Sequence, residues 1–156
     1  MYVLFCDFRS PGVPLDISSI PPDREVIVIK YTPRKKRVLC VDDNADTCAL
    51  VTETLKGWNV AAEFSRAEGL RRATAEQFDL ILLDYHLPDG TGLELCREIR
   101  SFDVGTPILV FTATHSMDHD TVLAAGGQGL LRKDHLVHLL PVAIANALEL
   151  KLTRRN

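Results

Sequence analysis

The sequence predicts an α/β fold, with five strands in a doubly wound parallel sheet that is covered by helices on both faces. Short apolar runs recur along the chain, and each is followed by a segment in which apolar residues have helical spacing. Most of the runs are apolar at every position, as expected of strands that are buried on both sides. Right-handed crossovers between such strands place the helices on the two faces of one sheet.

The first two strand–helix pairs lie between residues 38 and 75. Cys48, Val51 and Leu55 are spaced by three and four, which predicts a helix that Gly57 closes. The second strand alternates apolar with polar or small residues, which is typical of an edge strand. The elements predicted here are a strand at 38–41, a helix through 48–55, a strand at 60–64 and a helix at 66–75.

Three more pairs complete the pattern. Two of their strands end in a polar residue, Asp84 and Thr112, and the last is followed by Lys133. Pro141 is expected at the start of the main final helix, because proline is tolerated in a first helical turn. The predicted strands are 80–83, 108–111 and 129–132, and the predicted helices run through 93–99, from about 117 to 125, and to 152.

Residues 1–35 differ from the rest and are expected to form an N-terminal extension to a main domain at 36–153. Five of the eight prolines lie in this segment, and it has no helical period. Residues 25–31 alternate enough to form one extra strand. We assign no function to this extension.

Composition sets the broad class. The chain has 156 residues, 46% hydrophobic and 25% charged, as in globular proteins, and its net charge of −3 argues against a general nucleic-acid binder. No segment approaches the roughly 20 apolar residues that span a bilayer. The four cysteines lack metal-ligand spacing, and Cys40, Cys48 and Cys96 are interpreted as buried hydrophobic residues, which fits a reducing compartment. We therefore expect a cytoplasmic protein without membrane insertion.

The chemically important side chains fall where strands end. Asp42 and Asp43 follow the first strand, and Asp84, Thr112 and Lys133 follow three others. Ligands of open parallel sheets bind at the carboxyl ends of the strands, so these five side chains are expected to meet. Clustered carboxylates favour Mg²⁺, and a carboxylate beside a metal, a lysine and a hydroxyl suits phosphoryl transfer.

Four stretches resemble the signature motifs of response-regulator receiver domains. They are Val38–Asn44, Leu82–Gly92, Phe111–Ala113 and Lys133, and the match spans about residues 36–150. The resemblance implies the strand order 2-1-3-4-5. It also implies a role in a two-component phosphorelay, in which the domain catalyses only its own phosphorylation and dephosphorylation and is otherwise not an enzyme.

The resemblance also implies a role for each residue of the site. Asp84 would be the phosphoacceptor, Thr112 and Lys133 would bind phosphoryl oxygens, and Asp43 and Asp84 would bind Mg²⁺ directly. Asp42 would act through water, and the His86 backbone carbonyl would complete the protein ligands. His86 and Thr114 occupy positions that tune hydrolysis of the phosphoaspartate in this family.

Two residues depart from the family pattern. Lys133 is usually followed by a cis proline, but here Asp134 follows, so either a trans bond or strain is expected. Leu130 stands where many members carry an aromatic side chain that follows the threonine hydroxyl. The usual threonine–aromatic output switch is therefore doubtful here.

The implied partners are a histidine kinase or a histidine phosphotransfer protein, and an unidentified output protein. About 20 residues follow the last strand, enough for one helix. We therefore expect no attached output domain and no direct DNA binding, so that output occurs by protein–protein contact or phosphorelay.

Two other functions stay open at this point. An aspartyl-phosphate phosphatase on a related sheet would use His86 as its acid, and turnover of free phosphomonoesters would favour it. A receiver that no longer takes phosphate would be a structural interaction module, and partner binding with and without a phosphoryl mimic would identify it. The intact set of five polar residues counts against the second alternative.

Overall fold

In a computed structural model of the chain, residues 2–7, 26–31 and 34–153 are described, with side chains for 34–149. The chain separates into two compact units, Met1–Lys35 and Lys36–Asn156. In the first unit, β1 (Tyr2–Asp7) pairs in parallel with β2 (Val26–Tyr31). The strand predicted at 25–31 is confirmed by β2. The strand β1 was not predicted from the sequence. Its pairing with β2, which lies about 20 residues further along the chain, leaves no local pattern.

The second unit alternates strands and helices. Its strands are β3 (Arg37–Val41), β4 (Asn59–Glu63), β5 (Leu80–Asp84), β6 (His86–Leu87), β7 (Gly90–Thr91), β8 (Ile108–Thr112) and β9 (Gly129–Arg132). Its helices are α1 (Ala45–Thr54), α2 (Arg66–Ala75), α3 (Gly92–Arg100), α4 (His119–Ala124) and α5 (Leu136–Thr153), with a 3-10 turn at Lys133–His135.

Five of these strands form one parallel sheet in the order β4-β3-β5-β8-β9. Numbered along the main domain, this is the predicted order 2-1-3-4-5. The alternating strand β4 lies at one edge, as predicted, whereas β5 and β8 are buried at every position. The order brings the carboxyl ends of β3, β5 and β8 side by side.

Two apolar clusters cover the two faces of the sheet. Leu39, Leu83 and Val110 belong to one, with residues from α3 and α4, and Cys40, Leu82 and Phe111 belong to the other, with residues from α1 and α5. Strand neighbours therefore point to opposite faces, as strand geometry requires. The predicted burial is confirmed for three cysteines, Cys40, Cys48 and Cys96, while the side chain of Cys6 lies outside the described residues.

Side-chain caps fix the start of the first four helices. In each case the residue before the helix accepts hydrogen bonds from backbone N–H groups of the first turn, which have no intrahelical partner. The capping residues are Asn44, Ser65, Thr91 and Asp118. Asn44 and Thr91 also terminate the loops that leave β3 and β5, so the caps define the length of both loops.

Pro141 lies inside α5, so the prediction that it begins the main helix is wrong. The helix starts at Leu136, and both Leu136 and Leu140 are buried against the sheet. Burial of this first turn outweighs the loss of the hydrogen bond that Pro141 cannot donate. The Lys133–Asp134 peptide is trans, because the described residues contain no cis bond.

Among the residues that the structure describes, no helix combines the length and the apolar character needed to cross a bilayer.

The position of Pro141 predicts a stabilising substitution. Pro141→Ala restores an N–H that can bond to the Val137 carbonyl, and it should raise the free energy of unfolding by about 1–2 kcal/mol, after the loss of proline rigidity in the unfolded chain. Urea unfolding measures the change. Pro88→Ala, in an exposed loop, is the control and should not stabilise the protein. An unchanged Pro141→Ala midpoint would contradict the argument.

Candidate functional site

Three carboxylates meet at the carboxyl edge of the sheet. Asp42 and Asp43 follow β3, and Asp84 ends the neighbouring strand β5. Each residue offers a carboxylate oxygen, and the three oxygens lie within 4.8 Å of one another. Asp42 is 0% and Asp84 4% exposed, whereas Asp43 is exposed, so the cluster opens to solvent on one side.

Lys133 brings a positive charge between two of these carboxylates. Its Nζ lies 2.8 Å from Asp42 Oδ2 and 2.9 Å from Asp84 Oδ2. The ammonium also lies 5.3 Å from the centre of the Phe111 ring, a distance at which the ring face attracts a cation. Lysine at the end of β9 therefore reaches across β8 to two strands beyond it.

Asp42 is suited to contact a cation. Its Oδ1 accepts a hydrogen bond of 2.8 Å from the Asn44 N–H, which holds the carboxylate in place. The buried Oδ2 lies 2.8 Å from the Lys133 ammonium, and this single contact leaves lone-pair capacity on the carboxylate. A buried carboxylate oxygen with this unfilled capacity, beside two further carboxylates, fits a hard divalent cation such as Mg²⁺.

The protonation of the site follows from burial and charge. Burial raises the pKa of Asp84 and outweighs the Lys133 ammonium and the His86 backbone N–H, which both favour the carboxylate. Burial opposes the charge of Lys133, but hydrogen bonds and charge interactions with Asp42 and Asp84 raise the pKa of the lysine overall. The charge of the carboxylate cluster is thus only partly compensated by the one ammonium.

Thr112 ends β8, one residue beyond the position paired with Asp84. It is fully buried, and its Oγ1 accepts a hydrogen bond of 3.0 Å from the Thr114 N–H. The hydroxyl hydrogen is therefore left to donate to another acceptor.

The loop after Asp84 returns very close to the strand end. A Cβ on Gly92 would lie 2.1 Å from the Asp84 carbonyl oxygen, so only glycine fits there. Gly90 has a φ of +149°, which also favours glycine. Both observations show that these glycines allow a tight turn near the site. His86 lies in this turn with its side chain exposed, and the role of its carbonyl as a metal ligand stays a prediction.

Two polar contacts near the site were not predicted from the sequence. The Asp89 carboxylate accepts from the N–H groups of Arg66 and Ala67 at 2.6 and 2.8 Å, which ties the loop after Asp84 to the start of α2. The Arg132 guanidinium donates to the carbonyls of the loop that follows Thr112. Both contacts link segments that are distant in sequence, so no local pattern predicts them. The one available signal was the position of Arg132 directly before Lys133.

The fold and the carboxylate cluster define a doubly wound α/β domain of the kind used in two-component signalling. The family model of the response regulator receiver domain matches residues 38–144. This is more than half of the chain, and the protein therefore belongs to the response-regulator receiver domain family.

Known relatives agree with this assignment. The transcriptional regulatory protein ZraR of Salmonella typhimurium is 32% identical over 119 residues, 72% of this chain and 27% of ZraR. TrcR of Mycobacterium tuberculosis is 38% identical over 100 residues, 62% of this chain and 39% of TrcR. A receiver domain protein from Methanospirillum hungatei superposes with a TM-score of 0.72 at 26% identity and covers 78% of this chain and 99% of its own.

The chain spans less than half of the length of these two curated relatives. Both carry the name of a transcriptional regulatory protein. The comparisons therefore give no support to the expectation that this protein makes no direct contact with DNA.

The contact at Gly92 predicts a destabilising substitution. Gly92→Ala places a methyl group against the Asp84 carbonyl and should lower the free energy of unfolding by about 1–3 kcal/mol, the usual cost of overpacking. The matched control is Gly105→Ala, because a Cβ there meets only ordinary contact at 3.9 Å. Equal stability of the two variants in urea unfolding would contradict the close approach.

The raised pKa of Asp84 predicts a pH-dependent effect on stability. The folded state holds the proton of the Asp84 carboxyl more tightly than the unfolded chain does. The protonated carboxyl therefore favours folding fully below its ordinary pKa of about 3.9. This contribution is lost as the pH rises through the raised pKa of the folded state. Without divalent cations, Asp84→Asn should therefore be more stable than the wild type at pH 7, and the difference should shrink toward pH 4.

Urea unfolding from pH 4 to pH 8 in a chelator measures this difference. Asp120→Asn, which removes an exposed carboxylate in α4, is the control and should show no such trend. A less stable Asp84→Asn variant at pH 7 would show that the ion pair with Lys133 outweighs burial.

Proposed function

We propose that Asp84 is the phosphoacceptor of this receiver domain and takes its phosphoryl group from a histidine kinase or a histidine phosphotransfer protein. The observation that carries the proposal is the position of Lys133, whose ammonium lies within 3 Å of Asp84 and Asp42, with Asp43 in the same cluster. A nucleophilic carboxylate beside a fixed cation is what transfer of a dianionic group needs.

Asp84 would act as the nucleophile. One carboxylate oxygen attacks the phosphorus, the bond between phosphorus and the donor imidazole nitrogen breaks, and the imidazole keeps the electron pair. Lys133 would neutralise charge on one phosphoryl oxygen, and the Thr112 hydroxyl would donate to another. Hydrolysis reverses the state of the site, because attack of water releases orthophosphate and restores the Asp84 carboxylate.

We further propose that the site takes Mg²⁺ through Asp42, Asp43, Asp84 and the His86 backbone carbonyl. The cluster of oxygens within 4.8 Å, which a single ammonium neutralises only in part, supports this choice. When bound, Mg²⁺ supplies a positive charge that offsets the charge on the phosphoryl oxygens. The protein supplies the orientation, since Asn44 holds Asp42 and the sheet holds Asp84.

The domain would act as a signalling module at 36–153 that catalyses only its own phosphorylation and dephosphorylation. Output by contact with another protein or by onward transfer within a phosphorelay fits this reaction. The usual threonine–aromatic switch is not expected in it, because Leu130 has no aromatic ring and packs, partly buried, against a core cluster.

Labelling with a small phosphodonor tests the phosphoacceptor. Wild-type protein incubated with acetyl phosphate and Mg²⁺ should gain one phosphoryl group as an acyl phosphate, and Asp84→Asn should gain none. Asp43→Asn should weaken the apparent affinity for Mg²⁺ by at least roughly tenfold. Loss of a residue that merely supports a metal ligand already costs about this much. Intact-protein mass spectrometry measures the label.

Asp46→Asn is the matched control, because Asp46 is an exposed carboxylate three residues beyond Asp43 in the first turn of α1. It should be labelled like the wild type. Equal labelling of Asp84→Asn would move the phosphoacceptor elsewhere. A wild-type protein that takes no label and binds no Mg²⁺ would indicate an interaction module instead.

A further inference from the structure

We propose that Arg132 is a positioning residue for phosphoryl transfer, because it fixes the loop that holds the Thr112 hydroxyl. This inference rests on the proposed function, in which Thr112 donates to a phosphoryl oxygen on Asp84. Arg132 would act through this loop and not by contact with the phosphoryl group.

Arg132 ends β9 and pairs with Thr112 in the register of the sheet. Its guanidinium donates to three backbone carbonyls of the loop between β8 and α4. Nη1 donates to Thr114, and Nη2 donates to Met117 at 2.7 Å and to His115 at 3.3 Å. One side chain thus holds most of the loop that follows the end of β8.

A second hydrogen bond connects this loop to the site. Thr114, whose carbonyl accepts from Arg132, donates its N–H to Thr112 Oγ1 at 3.0 Å. Because the hydroxyl oxygen uses a lone pair for this bond, its hydrogen is free to point to another acceptor. The position of the Thr114 peptide therefore decides where the Thr112 hydroxyl hydrogen can point.

The chemistry of arginine suits this task. The carbonyls of Thr114, His115 and Met117 lie outside regular secondary structure and need donors. A guanidinium presents five donors in one plane, whereas an ammonium is a compact charge and a glutamine amide has only two donors. Fixing the loop before the reaction removes the need to order the hydroxyl during it.

We call the three hydrogen bonds from Arg132 to this loop the clamp, and Arg100 provides a matched control for it. Arg100 also donates to the backbone of two loop segments, to the Gly126 carbonyl and the Asp103 carbonyl, each at 2.8 Å. It contacts Gln128 as well, directly before β9, and therefore lies at the amino edge of the sheet. Arg100 thus has the same chemistry as Arg132 at the opposite edge from Asp84.

The experiment compares Arg132→Gln, Arg132→Lys and Arg100→Gln in the full chain. We measure the maximum rate of phosphorylation by acetyl phosphate at saturating Mg²⁺, the apparent Mg²⁺ affinity, and hydrogen exchange of the Thr114 amide. Arg132→Gln should lower the rate of phosphorylation roughly tenfold, which is less than the roughly hundredfold loss that a misplaced reacting group can cause. Its Mg²⁺ affinity should be unchanged, and its Thr114 amide should exchange faster.

Arg132→Lys should recover part of the rate, and Arg100→Gln should keep the wild-type rate at temperatures where it is folded. The inference is overturned if Arg132→Gln keeps the wild-type rate, or if Arg100→Gln loses as much rate as Arg132→Gln. A wild-type chain that takes no phosphoryl group overturns the proposed function and this role together. Amide exchange at Thr114 then shows separately whether the clamp exists.

Discussion

The site depends on one ammonium held between two buried carboxylates. Asp42 directly follows β3 and Asp84 ends the neighbouring strand β5, so the parallel sheet itself forces their like charges together. Charges of the same sign at this distance and depth repel strongly, because little water is present to screen them. Lys133 offsets part of this charge, and its long side chain reaches both carboxylates across β8. The Phe111 ring supports the ammonium along that path.

The same charge balance favours a divalent cation at this cluster. A single lysine cannot neutralise three carboxylates, and burial still raises the pKa of Asp84 in its presence. The remaining negative charge is concentrated on oxygens within 4.8 Å of one another, with Asp43 exposed to solvent. A hydrated cation can enter from that side and complete the neutralisation. In the proposed reaction, Lys133 and the cation would both offset charge on the phosphoryl group.

The sequence could predict the parallel sheet, and the edge at which its polar residues lie, from local pattern, and the strand order followed from the resemblance to receiver domains. An aspartate directly after a buried parallel strand must lie at the carboxyl edge, so Asp42 and Asp84 could be placed without knowledge of any contact. Side-chain contacts between distant segments leave no such pattern. The pairing of β1 with β2, the reach of Arg132 to Thr114 and the tolerance of Pro141 inside α5 each depend on packing that only the folded chain shows.

The hydrogen bonds of Arg132 also bear on how a chemical change at Asp84 could affect residues outside the site. Leu130 has no ring that could follow the Thr112 hydroxyl and packs with the core instead. The described contacts that lead away from this hydroxyl run through the Thr114 peptide to Arg132 and on to the Met117 carbonyl, just before α4. If phosphorylation draws the Thr112 hydroxyl toward Asp84, the Thr114 peptide must follow or release its hydrogen bond. A Thr114 peptide that follows would move one acceptor of the Arg132 guanidinium, and the proposed clamp would then carry the change toward the Met117 carbonyl, just before α4.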